Sequence, residues 1–169
     1  MKKRRVNAVP ETKILIVYDS YTGNTEKLSL AVAQGALQVA GTKVITKRAD
    51  KATMQDLLDA DGIIVGSPAY YGLMTARLKR FIDSTVKIHG KLEGKPGAAF
   101  TTAGSTATGA ETTLLSILTA MLIHGMVVQG RSGEKHFGAA CVGAPDARAI
   151  KFGKELGQRT ALLAQRLKR

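Results

Sequence analysis

The segment K-I-L-I-V-Y-D at residues 13–19 is apolar or aromatic at every interior position, with no polar residue in alternation. A strand of that texture has to be covered on both faces, which confines it to a parallel sheet flanked by helices. The next stretch, G-N-T-E-K-L-S-L-A-V-A-Q-G-A-L-Q-V-A-G, changes to helical spacing, with Leu28, Val32, Ala36 and Val39 on one stripe and Gly41 as a stop. This change of period recurs along the whole chain. T-K-V-I-T-K-R reads as a shorter, edge-like strand, followed by a modest helix around T-M-Q-D-L-L. D-G-I-I-V-G-S-P is a third strand, and T-A-R-L-K-R-F-I-D-S-T-V a helix with Leu78, Phe81, Ile82 and Thr85 along one face.

K-P-G-A-A-F-T-T-A-G reads as the fourth strand. After a loop comes an apolar helix spanning residues 111–124, with Leu114, Leu118, Met121 and Leu122 as its stripe. M-V-V-Q-G and H-F-G-A-A-C-V-G look like two pieces of a last strand, split by the polar insertion R-S-G-E-K. A closing helix from about Ala147 is expected to bury Ala149, Phe152, Leu156, Leu163 and Leu167. Five strands alternating with helices, joined by right-handed crossovers, imply one α/β domain over residues 13–169, preceded by a basic tail at 1–12.

Charge bears on possible partners. The 169 residues carry 25 Lys and Arg against 13 Asp and Glu, a formal net charge of +12. Lys2, Lys3, Arg4 and Arg5 crowd one end, and Arg166, Lys168 and Arg169 the other. Basic termini meet nucleic acid, anionic membrane or acidic partners, or are simply solvated. No zinc-ligand spacing, aromatic-rich RNA-binding segment or helix-turn-helix pattern accompanies them, so no specific nucleic-acid partner is expected. No apolar run reaches the roughly 18–20 residues of a membrane span, which argues against membrane insertion. The opening M-K-K-R-R-V-N-A-V-P lacks the apolar core of an export signal, and a lone Cys141 admits no intramolecular disulfide. A reducing cytoplasm is the expected home, with Cys141 a small buried hydrophobe rather than a reactive thiol.

Ligands of open α/β sheets bind beyond the carboxyl ends of the strands. Three loops there carry suggestive chemistry. D-S-Y-T-G-N-T, after the first strand, offers the hydroxyls of Ser20, Thr22 and Thr25, and the amides of Gly23, Asn24 and Thr25 at a helix start. Such amides hold a phosphate without a cationic side chain, although the same residues also suit an ordinary helix cap. The loop is neither G-x-G-x-x-G nor G-x-x-x-x-G-K-[ST]. Gly104 and Gly109 have the spacing of the latter, but Ala110 and Glu111 follow them, which argues against ATP hydrolysis. S-P-A-Y-Y-G at 67–72 provides a stiff turn with two flat aromatic surfaces, suited to a planar heterocycle or to two half-buried surface tyrosines. T-T-A-G-S-T-A-T-G at 101–109 is a hydroxyl-rich turn able to line the same crevice.

Taken together these segments resemble a known family. S-Y-T-G-N-T after a buried strand resembles the phosphate loop of flavodoxins. G-S-P-A-Y-Y-G with A-R-L-K-R-F-I-D-S-T behind it is similar to the flavin-ring loop and following helix of the flavodoxin-like NAD(P)H:quinone oxidoreductases, once called tryptophan-repressor-binding proteins. A-F-T-T-A-G and E-T-T-L-L-S-I-L-T-A-M-L-I-H-G-M-V-V extend the match to nearly the whole chain. The resemblance implies a flavodoxin-like three-layer sandwich with a five-stranded parallel sheet in order 2-1-3-4-5. It implies FMN, with its phosphate on Ser20, Tyr21, Thr22, Gly23, Asn24 and Thr25. The ring would lie against Pro68, Ala69, Tyr70, Tyr71 and Gly72, while Thr102, Ala103, Gly104, Ser105 and Gly109 contact ring and ribityl chain. His124 matches a family histidine near the flavin; a plain helix-end cap is the other reading.

The chemistry so implied is electron transfer from NAD(P)H to a quinone-like acceptor, with the flavin itself carrying the reaction. The alternative is a flavodoxin-type carrier serving a redox partner protein; the resemblance also implies a homo-oligomer. Two departures stand out. The stretch between Thr85 and Lys95 is short for this family and the chain has no tryptophan, so Tyr70 or Tyr71 replaces the usual covering aromatic, or the site is more open. The basic charge is foreign to flavodoxin carriers, which are usually acidic.

Overall fold

The computed structural model describes residues 11–168; the basic cluster Lys2, Lys3, Arg4 and Arg5, and Arg169, lie outside the described residues. The first strand, β1 (Thr12–Tyr18), starts one residue before the predicted position and is buried along almost its whole length. It is followed by α1 (Asn24–Leu37), β2 (Thr42–Arg48), α2 (Met54–Asp59) and β3 (Gly62–Pro68). The chain continues with α3 (Ala76–Ser84), a 3-10 turn (Thr85–Ile88) and β4 (Pro96–Ala103). Then come α4 (Ala110–Ile123), β5 (Val127–Val128), β6 (Ala139–Val142) and α5 (Ala147–Leu167). The expected single helix over 75–86 therefore ends at Ser84 and tightens into the 3-10 turn.

All strand pairs are parallel, in the order β2-β1-β3-β4-β5, with β6 also paired to β4. The two expected pieces of the last strand occupy one sheet position. Val127 and Val128 pair with Pro96 and Gly97 at the start of β4, and Ala139 to Val142 with Phe100 to Ala103 at its end. The R-S-G-E-K insertion bulges out between them.

Alternation along β1 sends Leu15 and Val17 into one core and Ile14 and Ile16 into the other. The first core is closed by Leu57 of α2, Leu78 of α3 and Leu114, Ile117 and Met121 of α4. The second is closed by Leu28, Val32 and Ala36 of α1 with Phe152 and Leu156 of α5. The sheet is thus covered on both faces, as the unbroken apolar texture of its strands demands.

Two helix stripes differ from expectation. On α4, Ile117 is buried while Leu122 is 60% exposed. On α5, Leu163 is only half-buried and Leu167 is exposed; the buried stripe runs through Gly153, Gly157, Thr160, Ala161 and Ala164. On α5 the reason is the closeness of α1. A Cβ on Gly157 would lie 1.9 Å from the Val32 carbonyl oxygen, and one on Gly35 would lie 1.9 Å from that of Lys154. Small residues let the two helix backbones touch, and leucines do not fit there.

Candidate functional site

The loops leaving β1, β3 and β4 meet at the carboxyl end of the sheet, and Thr102 joins them. Its hydroxyl shares a buried hydrogen bond of 2.8 Å with the Thr25 hydroxyl of the first loop. Its carbonyl accepts from the Ala69 amide of the second loop at 2.8 Å. The neighbouring Thr101 hydroxyl donates to the Ser67 carbonyl at 2.7 Å. The second and third loops also touch through glycines, since a Cβ on Gly109 would lie 2.5 Å from the Gly72 Cα.

The start of α1 is unusual for this chain. α2, α3 and α5 begin on Thr53, Thr75 and Asp146, each of which accepts a backbone amide through its side chain. By contrast α1 and α4 begin on Gly23 and Gly109, both left-handed (φ 87° and 92°), and no side chain caps either. These two helices follow β1 and β4, so their open amides face the meeting point of the loops. An anion is the natural partner of such an end. The hydroxyls do not cap the helix. Ser20 accepts from the Gly23 amide at 3.1 Å, Thr25 is committed to Thr102, and Thr22 is exposed. The Gly23 amide is therefore spoken for inside the loop, which leaves Asn24 and Thr25 as the free donors of the predicted three. Glu26, the one acid in the first turn, is drawn aside by the Tyr18 hydroxyl, which donates to it at 2.7 Å. Burial and that carboxylate push the Tyr18 pKa up to about 12.

The tyrosine loop is a tight turn in which the Tyr70 and Leu73 amides each bond the other's carbonyl at 3.0 Å. Its central residues Tyr71 and Gly72 both have positive φ, 50° and 76°. Glycine or asparagine is the usual occupant of such positions, so the fully exposed Tyr71 carries local backbone strain. Tyr70 packs on Tyr21 of the first loop with ring centroids 5.1 Å apart, and the Arg77 guanidinium sits 4.8 Å from the Tyr21 centroid. Pro68 ends β3 beside Thr102, Ala103 closes β4, and Gly104 and Ser105 are exposed on the third loop.

Asp19 is the residue that sequence reasoning missed. It is fully buried and accepts from the Thr75 hydroxyl at 2.6 Å, from Arg77 at 3.0 Å and from the Ser20 amide at 2.9 Å. The phosphate-type loop is thereby tied to the start of α3, with the buried charge paired and hydrogen-bonded as its desolvation requires. A carboxylate closing an otherwise apolar strand run was the available signal.

His124 is not brought to this end of the sheet. It follows α4, whose 14 residues put its C-terminus about 21 Å from Gly109. There its Nε2 shares a 2.7 Å hydrogen bond with the Thr85 hydroxyl, while its Nδ1 is buried without a partner. Burial, with His89 nearby, holds its pKa below the ordinary histidine range. Cys141 is half-buried, and burial pushes its pKa up to about 11, so it is not poised as a nucleophile. No helix among the described residues is long and apolar enough to cross a membrane, and no cluster of metal-ligating side chains occurs among them.

The arrangement can therefore take a phosphate at the α1 terminus and a planar ring along the tyrosine turn and the third loop. Comparison with known proteins gives the family. Residues 12–134 match the family model of NADPH-dependent FMN reductases. A flavodoxin of Aquifex aeolicus is 40% identical over 88% of this chain and 85% of its own. An NAD(P)H dehydrogenase (quinone) of Archaeoglobus fulgidus is 35% identical over 92% of this chain and 98% of its own. The crystal structure of a WrbA-like flavodoxin from Agrobacterium tumefaciens shares the fold with TM-score 0.81 over 92% of this chain and 99% of that one, at 23% identity. With a matched stretch that takes in β1 to β5 and all three loops, the chain belongs to the NADPH-dependent FMN reductase family, built on the flavodoxin fold.

Proposed function

We propose that this protein is an FMN-dependent oxidoreductase that oxidises NAD(P)H and reduces a quinone-like acceptor. The observation that carries the reading is the convergence on Thr102. One residue ties the start of α1 and the tyrosine turn together, which supports a single ligand reaching both. In this reading the Asn24 and Thr25 amides hold the FMN phosphate, with Ser20 shaping the loop through the Gly23 amide. Pro68, Ala69, Tyr70, Tyr71 and Gly72 border one edge of the ring system. Thr102, Ala103, Gly104, Ser105 and Gly109 line the other, and the amides at the α4 terminus favour negative charge nearby. Bound FMN supplies the hydride and electron chemistry, so the protein's part is binding, orientation and electrostatics. His124, within one chain, takes no part.

The names of the two relatives divide between carrier and enzyme. A basic surface suits the enzyme better than a carrier that docks on basic partners, and so does the exposed Tyr71, which leaves the mouth of the site accessible to a small substrate. The test is steady-state oxidation of NADPH by FMN-loaded protein with added benzoquinone. Saturable turnover well above that of free FMN is expected. Turnover no faster than free FMN, together with redox titration in two separate one-electron steps, would instead identify a carrier.

A further inference from the structure

The β5–β6 connection and the outer side of α5 border an open pocket of about 240 Å³ at the edge of the sheet, apart from the three loops. Its floor is apolar, made by Ala139, Leu156 and the edge of Phe152, and its walls carry Arg131, Lys135 and Arg159. Cations crowd it. Arg131, Arg148 and Lys135 lie 5.2, 5.8 and 5.9 Å from the Phe152 ring centroid. Two carboxylates answer them: Glu155 pairs with Arg131 and is shared with Lys151, and Glu134 pairs with Arg148. Among the described residues no carboxylate pairs with Lys135 or Arg159, and Arg159 donates only to the Gly130 carbonyl at 3.2 Å. Burial lowers the Arg159 pKa and Arg131 adds to the effect, with Glu155 opposing.

The five cations Arg131, Lys135, Arg148, Lys151 and Arg159 exceed the two carboxylates Glu134 and Glu155 by three charges around this concave site. Guanidinium groups match phosphate oxygens in geometry as well as charge. A concavity of this size suits a compact multiply charged anion better than a continuous polyanion track. We infer that this pocket is a second anion site, distinct from the flavin-phosphate loop, and that it binds a small molecule through a phosphate or pyrophosphate group held by Arg159, Arg131 and Lys135. Lys135 itself sits at φ 60°, a left-handed conformation rare for lysine, on the connection that forms the wall.

The probe is inorganic pyrophosphate, titrated calorimetrically into FMN-loaded protein so that the other phosphate loop is filled, with ionic strength held constant by chloride. One-to-one binding is expected, weakened about tenfold or more in Arg159→Met and in Lys135→Asn, as loss of a charge-assisted contact implies. Asparagine tolerates the left-handed backbone, so Lys135→Asn decides the matter even if Arg159→Met folds poorly. FMN affinity, read by fluorescence quenching, should stay unchanged in both variants. Equal pyrophosphate affinity in wild type and both variants would overturn the inference. So would heats no different from added chloride, or binding of a DNA duplex at these residues without binding of pyrophosphate.

Discussion

Thr102 shows how much one hydroxyl decides. It is 5% exposed, and its partner Thr25 is 1% exposed, so neither group has water to fall back on. Thr102→Val keeps the shape and strands the Thr25 hydroxyl, a cost of about 1–3 kcal/mol for an unsatisfied buried group. Urea denaturation should record that loss, and FMN titration should show weaker binding because the first loop loses its bond to Thr102. His124 makes a different prediction. Its folded pKa lies below the ordinary 6.5, so the native state resists the proton that the unfolded chain accepts. The stability it secures is complete above about pH 6.5 and is lost as pH falls through its folded pKa. Thermal melts from pH 7.5 to 5 should decline more steeply in wild type than in His124→Gln; parallel profiles would refute the assignment. Asp19 stood out in the sequence only as a carboxylate ending an apolar run; its partners Thr75 and Arg77, 56 and 58 residues away, were not legible there.

At the scale of elements, the alternation of buried strands and striped helices was legible because each period reports burial directly. The stripe on α1 is an example: Leu28, Val32, Ala36 and Val39 are all buried. Where the reading slipped, on Leu122 of α4 and on Leu163 and Leu167 of α5, the missing information was which neighbour each helix meets and how closely. The three ligand-side loops were legible from composition alone, but their knitting through Thr102 and the Gly72–Gly109 approach was not. That approach can be tested. Gly109→Ala adds a Cβ 2.5 Å from the Gly72 Cα and forces an alanine to φ 92°, so the two loops must part. Its measured effect should be about 1–3 kcal/mol on stability and a marked drop in FMN affinity. A variant with wild-type FMN binding would show that the α4 terminus does not help form the site.

For the molecule as a whole, a sheet covered on both faces leaves its carboxyl edge as the place where helix termini, hydroxyls and aromatic surface come together. Among the described residues, a cluster of cations gathers around α5, at Arg131, Lys135, Arg148 and Arg159. In the proposed reading the flavin phosphate is held by backbone amides rather than by lysines. Discrimination between FMN and riboflavin, which differ only in the phosphate, tests that claim most directly. Fluorescence titration of the apoprotein should give one FMN per chain, with riboflavin bound at least about a hundredfold more weakly, the worth of two charge-assisted hydrogen bonds. Riboflavin binding as tight as FMN, or no quenching by either, would contradict the account.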